Sequence, residues 1–288
     1  MRPKDVARAL WDGARSQDPP QRVSELAAQV LIDEGGLSRL EVWEEAERIE
    51  PRVIVWLTRR TGDAVARREP PKLVQNSSSS LHFQGHLFSE PCDPPEVRDV
   101  KARRAQSAAL MEWLASLPHE DFERLSAKIL GLLGARHYRQ TRRSKDQGID
   151  FYGKLVLADL DPTQLPFLRF QHDFEVWIMG QAKHYPAGLV SAPEVRELVG
   201  AVLLARSKVF ATREPLFQDL TSRIADPLVA LFLTTGSYTR DAKLLGEAAG
   251  VILKTGQEIA DFLADREIGF DRVDQSFRAD LAAHWLQS

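Results

Sequence analysis

The sequence predicts an α/β protein in two parts: a small N-terminal helical module, then a larger domain whose mixed β-sheet is flanked by helices. Three observations lead to this prediction. Up to residue 67, apolar residues recur at helical spacing. From about residue 68 to 96, prolines and serines interrupt that spacing. From residue 117 onward, strand-like and helix-like patterns alternate, which favours one sheet with helices on both faces.

The composition excludes several classes of protein. The 288 residues are 43% hydrophobic and 27% charged, enough to bury a core, and the net charge of -3 means that any nucleic-acid surface must be local. Cys92 is the sole cysteine, so an internal disulfide and a cysteine-based zinc site are excluded. The sequence shows neither a signal peptide nor an apolar stretch long enough to span a bilayer. We therefore expect a cytoplasmic protein with no membrane partner.

The N-terminal module, residues 1–67, is predicted to contain short helices. Residues 23–31 have a helical apolar face that ends at Gly35, and residues 40–49 have a second one. Pro51 is interpreted as a break, after which a third helix follows. Three such helices fit a helix-turn-helix or winged-helix module that reads DNA, and they fit any other small helical bundle equally well.

The middle of the chain is predicted to join the two parts. Residues 68–96 are rich in proline and serine and indicate a linker, although Leu81 and Phe83 alternate with polar residues as in the wing strand of a winged helix. Residues 97–116 are basic at their start and apolar at their end, which predicts one connecting helix. The domain that follows covers residues 117–288.

The larger domain is predicted as a helix, three strands, and then alternating helices and strands. After a helix that ends at Gly134, the predicted strands are 135–141, 149–157, 175–182, 228–234 and 251–253, and the predicted helices are 192–206, 241–249, 257–263 and part of 271–287. The run 228–234 is continuously apolar, which is typical of a buried strand. A proline-containing insertion, residues 159–172, separates the second and third strands.

Four polar side chains in this domain could form one site. Gln181 and Lys183 are separated by one residue on a predicted strand, so they project to the same face. Asp150 begins the preceding strand and lies beside them if the two strands form a hairpin. Glu123, on the first helix of the domain, could complete the group.

These side chains suit the metal-assisted hydrolysis of a phosphodiester. Carboxylate and amide oxygens are hard ligands for Mg²⁺, which keeps water molecules that can act as the nucleophile. Lys183 would orient that water or help to deprotonate it, and would stabilise the charge that grows on the phosphoryl oxygens. Glu123 would act on the metal directly or through a bound water.

Other residues near this group are candidates for contacts with DNA or for support of the site. A basic run leads into the site and predicts phosphate contacts, unless it is a solvated strand face: Arg136, Arg139, Arg142, Arg143 and Lys145. His184 follows the lysine closely and either packs or contacts the DNA. Thr234 and Thr235 either line the cleft or reflect the β-propensity of a strand end.

Several short motifs together carry a resemblance to a known family. They are His119–Glu123, Gly131–Gly134, Ser144–Asp150, Gly180–Tyr185, Leu231–Gly236, Ala242, Ile252–Leu253 and Gly256. In this order and on these elements, the chain from about residue 117 to 265 resembles the Mrr-like restriction endonucleases of the PD-(D/E)xK nuclease superfamily, in the QxK variant. The departures are the insertion at 159–172 and the N-terminal region, which does not match the DNA-reading domain of the family's namesake.

The resemblance implies roles for particular residues. Asp150 and Gln181 correspond to the metal-site residues, Lys183 to the catalytic lysine and Glu123 to the supporting helix glutamate. Asp146 matches a loop acid of the same motif and is expected behind the metal site. The implied cofactor is Mg²⁺, for which Mn²⁺ can substitute, and the neutral Gln181 favours one metal ion over two.

The implied activity is endonuclease cleavage of double-stranded DNA, in the restriction of foreign or modified DNA by a prokaryote. A homodimer would suit the cutting of both strands, and a partner protein of a defence system is a further expectation. One alternative is a structure-selective nuclease of the Holliday-junction-resolvase type, although those enzymes carry an acid at the position of Gln181. The other is a nuclease-like module that binds DNA without cleavage, against which Asp150 and Lys183 argue.

Overall fold

The computed structural model describes residues 1–36, 38–67, 69–141, 148–156, 175–207 and 225–288. The chain forms two compact units, Met1–Ala105 and Gln106–Ser288. In these ranges, no helix combines the length and the apolar character that a membrane span needs. The predicted insertion 159–172 lies outside the described residues.

The N-terminal unit contains four described helices and a small sheet. Its elements are α1 (Pro3–Gly13), β1 (Gln21–Arg22), α2 (Val23–Glu34), α3 (Arg39–Ala66), β2 (Leu73–Asn76), β3 (Ser79–Gly85) and α4 (Pro95–Arg104). The strands pair in the order β1-β3-β2, all antiparallel. Leu73 and Phe83 are buried in the same core as the helices. Residues 73–85 of the proline- and serine-rich stretch therefore form a β-hairpin of the fold.

The predicted helix break at Pro51 is wrong, because α3 runs through this proline without interruption. A proline inside a helix removes one backbone hydrogen bond and costs about 3 kcal/mol. Ile49, Val53 and Leu57 lie on one face on both sides of it and are fully buried. Burial of that continuous face outweighs the local cost, since tertiary packing supplies most of the stability of a helix in a protein.

The single connecting helix predicted for 97–116 is also wrong. The structure has two helices there, α4 and α5 (Ser107–Ser116), and the boundary between the two units falls between them. Gln106 directly precedes α5, and its side chain donates to the carbonyl of Gln275 and accepts from the amide of Phe277, both at 2.8 Å. These bonds tie the start of α5 to the C-terminal part of its own unit.

The C-terminal unit is built on a five-stranded sheet. Its further elements are α6 (His119–Leu132), β4 (His137–Gln140), β5 (Phe151–Val156), β6 (Glu175–Lys183), β7 (Leu189–Val190), α7 (Ala192–Arg206), β8 (Leu228–Thr234), β9 (Ser237–Tyr238), α8 (Arg240–Ala249), β10 (Val251–Lys254), α9 (Gly256–Asp265) and α10 (Ala279–Gln287). The strand order is β10-β8-β6-β5-β4, with β4, β5 and β6 antiparallel and β6, β8 and β10 parallel. The predicted fold class, a mixed sheet between helices, is confirmed. The short parallel pair β7 and β9 was not predicted.

Side chains alternate between two cores along each central strand. Ile178 packs in the core that contains residues of α5, α6, α9 and α10. Trp177 and Met179 pack in the opposite core, which contains residues of α7 and α8. This period of two explains why both faces of the sheet carry helices.

The connection from β6 to β8 brings a helix terminus to the end of a strand. β6 and β8 are parallel, and α7 lies between them in the chain. A capping box of Ser191 and Glu194 begins α7, eight residues after Lys183 ends β6. Ligands of α/β sheets bind at the carboxyl ends of such strands.

Candidate active site

A cavity of about 370 Å³ lies where β6 ends and β5 begins. Its lining residues are His119, Glu123, Gly148, Asp150, Gln181, Ala182, Lys183 and Glu197. The structure therefore brings together the four residues that the sequence predicts for one site: Glu123, Asp150, Gln181 and Lys183.

Asp150 is held rigidly by backbone groups. Its amide donates to the carbonyl of Gly180 at 2.9 Å, and its carbonyl accepts from the amide of Thr141 at 2.8 Å. Its carboxylate accepts a 2.7 Å hydrogen bond at Oδ2 from the amide of Ala182. The carboxylate is thus fixed beside the strand that carries Gln181 and Lys183.

The buried amide of Gln181 has an unusual environment. The residue is 3% exposed, and its Oε1 has no hydrogen-bond partner within the described part of the chain. A buried acceptor without a partner costs about 1 to 3 kcal/mol. The Gln181 oxygen lines the cavity and lacks a hydrogen-bond partner among the described residues, so it is suited to bind a donor or a cation.

Lys183 is anchored through its backbone. Its carbonyl accepts from the Thr234 hydroxyl at 2.9 Å and from the Thr235 amide at 3.3 Å. Its ammonium makes no hydrogen bond or salt bridge among the described residues. Thr234 therefore supports the end of β6 and does not line the cavity, while the Thr235 hydroxyl is buried without a partner in the same ranges.

Glu123 is oriented by two neighbours that the sequence analysis gave no role. Its Oε1 lies 2.9 Å from Nδ1 of His119, one helical turn earlier on α6. Its Oε2 accepts a 2.8 Å hydrogen bond from Nε2 of Gln140 on β4. With 5% exposure, this carboxylate is buried and held in one orientation.

The first turns of α7 place two carboxylates near the end of β6. Glu194 accepts from the backbone and hydroxyl of Ser191 and from the Tyr185 hydroxyl. Burial opposes ionisation of Glu194, but these hydrogen bonds and nearby Lys183 hold its pKa below the ordinary value. Burial and the bond to Glu194 raise the pKa of Tyr185, so its hydroxyl remains a donor at neutral pH. Glu197, one turn further along, lines the cavity.

Two further predicted residues, Arg136 and His184, do not line the cavity. Arg136 is exposed immediately before the edge strand β4. His184 packs its ring 5.8 Å from that of Phe122 and places Nε2 3.1 Å from the carbonyl of Leu114, so it is not brought into the cavity. Four predicted residues lie outside the described ranges: Arg142, Arg143, Lys145 and Asp146.

The sequence analysis missed Glu197, His119 and Gln140. His119 could have been found from its spacing, because residues i and i+4 on a helix are neighbours and Glu123 was already a candidate. Gln140 and Glu197 reach the cavity from other elements. For Glu197 the available signal was the capping pattern of α7, which starts that helix soon after Lys183.

The donor set of the cavity fits a hard divalent cation. Asp150 supplies a fixed carboxylate, and Gln181 supplies an amide oxygen that lacks a partner among the described residues. Within the same ranges, no three histidine, cysteine, aspartate or glutamate side chains form a ready-made metal cluster. A few protein oxygens completed by water are the usual coordination of Mg²⁺ in enzymes of phosphate chemistry.

The comparisons with known proteins address the domain that carries this cavity. Residues 114–219 match the family model Mrr_cat, described as a restriction endonuclease. The predicted resemblance to this family is therefore confirmed for residues 114–219.

Three solved structures are similar to this chain. The MspJI restriction endonuclease in complex with a 27-mer oligonucleotide is 21% identical over 69% of this chain and 39% of its own, with a TM-score of 0.38. The DNA modification-dependent restriction endonuclease AspBHI is 18% identical over 75% and 59%, with a TM-score of 0.40. The restriction endonuclease FokI bound to DNA is 7% identical over 92% and 44%, with a TM-score of 0.35.

The match covers less than two thirds of the length of each of these three chains. Among curated proteins, the comparison found no match.

Proposed function

We propose that this protein is a Mg²⁺-dependent endonuclease that hydrolyses phosphodiester bonds of double-stranded DNA. The main support for this proposal is the buried Gln181 Oε1, which has no hydrogen-bond partner among the described residues and lies next to the carboxylate of Asp150. The restriction endonuclease domain at 114–219 supports the same conclusion. We extend it to the restriction of foreign or modified DNA in prokaryotic defence.

The four predicted residues of the cavity have distinct tasks in this proposal. Asp150 and Gln181 hold Mg²⁺, with Mn²⁺ able to substitute, and the bound cation supplies a Lewis acid and an activated water. Lys183 orients the attacking water and stabilises the charge that develops on the phosphoryl oxygens. Glu123 acts from α6, directly or through a water, in the orientation that His119 and Gln140 give it.

DNA would be held mainly through its phosphates. Arg136 is exposed immediately before the edge strand β4. Arg142, Arg143 and Lys145 continue the same basic run in the sequence. Such cations position a duplex without reading its bases. Because one site of this kind cuts one strand, we propose that a homodimer makes double-strand breaks.

The test is plasmid cleavage by the full chain in Mg²⁺ and in EDTA, on methylated and unmethylated DNA. We expect nicked or linear products in Mg²⁺ alone, and a preference for one plasmid if the enzyme restricts modified DNA. Asp150→Asn and Lys183→Met should each lower the rate at least about a hundredfold. Lys243→Met, which changes an exposed lysine of α8, is the matched control and should cleave normally. Intact plasmid in every wild-type reaction, despite a shift of DNA on a gel, would contradict the proposal and favour a DNA-binding module.

A further inference from the structure

Glu197 stands out among the residues that line the cavity. It is exposed, and its carboxylate makes no hydrogen bond or ion pair in the described ranges. Glu194, one turn earlier on α7, is fully engaged by Ser191 and Tyr185. The carboxylate of Glu194 therefore caps the first turn of α7, whereas the carboxylate of Glu197 can interact with a ligand in the cavity.

The alternation of side chains on β6 directs the site toward α7. Trp177 and Met179 pack in the core that contains residues of α7, whereas Ala182 packs in the opposite core. With a period of two, Gln181 and Lys183 project toward the α7 side. Glu197 therefore approaches the cavity from the side on which the neutral amide and the lysine lie.

The loop before β5 brings Glu197 close to the chain segment of Asp150. Gly148 has a φ of +84°, a conformation that favours glycine, and it also lines the cavity. A Cβ placed on Gly148 would lie 3.7 Å from Oε1 of Glu197 and 3.4 Å from the Cβ of Ala201. The backbone two residues before Asp150 is thus in contact distance of α7.

The net charge of the proposed metal site favours a further carboxylate, which Glu197 can supply. Mg²⁺ and Lys183 bring three positive charges to the proposed site, Asp150 and Glu123 supply two negative charges, and the amide of Gln181 supplies none. Direct coordination by three acidic groups is not preformed in the described residues. Mg²⁺ keeps several of its waters, and a carboxylate can hold one of them.

We propose that Glu197 is a third acidic group of the metal site, beside Asp150 and Glu123, and binds a water of the metal ion, replacing the charge that Gln181 lacks. This inference rests on the proposed function, since it assumes that Asp150 and Gln181 hold the cation.

The direct test is Mn²⁺ binding to the full chain without DNA, measured by electron paramagnetic resonance and by calorimetry. Glu197→Gln should weaken Mn²⁺ binding about tenfold to a hundredfold, as is usual for residues behind the direct ligands. Glu247→Gln changes an exposed glutamate of α8 that does not line the cavity, and it should bind as the wild type does.

Asp150→Asn separates this inference from the proposed function. If Asp150→Asn loses Mn²⁺ binding while Glu197→Gln retains wild-type affinity, the role of Glu197 is refuted and the metal site stands. If neither variant changes Mn²⁺ affinity, the metal site itself is wrong and the inference falls with it.

A charge-relocation variant tests the reason for the effect. Gln181→Glu combined with Glu197→Gln returns one negative charge to the site from β6, so it should recover at least part of the Mn²⁺ affinity lost in Glu197→Gln. Affinity as low as in Glu197→Gln would overturn the charge argument. Circular dichroism of each variant checks that the fold is retained.

Discussion

Among the described residues, each unit buries one glutamine almost completely, and the two amides differ in their surroundings. Gln84 in the N-terminal unit is 1% exposed, and both ends of its amide are paired at 2.7 Å, with Asn76 and Glu90. Gln181 in the C-terminal unit is 3% exposed, and its oxygen has no partner among the described residues. A satisfied buried amide stabilises a fold, whereas an unsatisfied one lowers stability and is consistent with a ligand site.

The largest expected effect comes from Gln181→Leu. We expect DNA cleavage to fall at least about a hundredfold, because the oxygen that we propose as a metal ligand is lost, which corresponds to about 2.7 kcal/mol in the activation barrier. The free energy of unfolding should stay the same or rise by about 1 kcal/mol, because a buried unpaired acceptor is removed. Cleavage rates and urea unfolding measure the two effects. Cleavage at the wild-type rate by Gln181→Leu would contradict the functional role proposed for Gln181.

Gln84→Leu should show the opposite pattern. Asn76 and Glu90 would lose their partner in a buried position, so the free energy of unfolding of the N-terminal unit should fall by about 2 kcal/mol. Cleavage should remain at the wild-type rate at temperatures where the variant is folded. Urea unfolding followed by circular dichroism tests the first expectation, and undiminished stability would show that the network does not stabilise the unit.

Substitutions of Asp150 separate its structural contribution to the candidate active site from its proposed role in cleavage. Asp150→Asn keeps an oxygen that can accept from the amide of Ala182, whereas Asp150→Leu leaves that buried amide unpaired. We expect the leucine variant to be less stable than the asparagine variant by about 1.5 kcal/mol, and both to lose cleavage. Equal stabilities in thermal unfolding would mean that this hydrogen bond does not hold the site together.

The smallest effect is a pH dependence in the N-terminal unit. Hydrogen bonds from Ser77, with further ones from Gln84 and Cys92, keep the pKa of Glu90 below its ordinary value. A carboxyl group with a lowered pKa in the folded state stabilises above its unfolded pKa of about 4.3, and this stabilisation is lost as the pH falls through the folded value.

The stability advantage of the wild type over Glu90→Gln should therefore be about 1 kcal/mol near neutral pH and should shrink below about pH 4. Urea unfolding of both proteins across this range gives the difference directly. A difference in the free energy of unfolding that does not change with pH would contradict the lowered pKa of Glu90 in the folded state.

Strong local signals made much of the C-terminal fold predictable. The predicted strand 228–234 and helix 192–206 are observed as Leu228–Thr234 and Ala192–Arg206. The first is a continuous apolar run, and the second begins with a capping box. Two predictions were wrong: the helix break at Pro51 and the single helix over 97–116. In both places, contacts with residues distant in the sequence outweighed the local conformational preference.

The sequence by itself determined four of the residues that line the cavity and most of the framework that holds them. The period of two on β6 places Gln181 and Lys183 on one face, and the pairing of β5 with β6 places Asp150 beside them. Only the tertiary structure decided that Gln140 holds Glu123, that His184 turns away from the cavity and that Glu197 lines it. The physical reason is that side-chain direction within a strand follows from backbone geometry, whereas contacts between elements depend on how their cores pack.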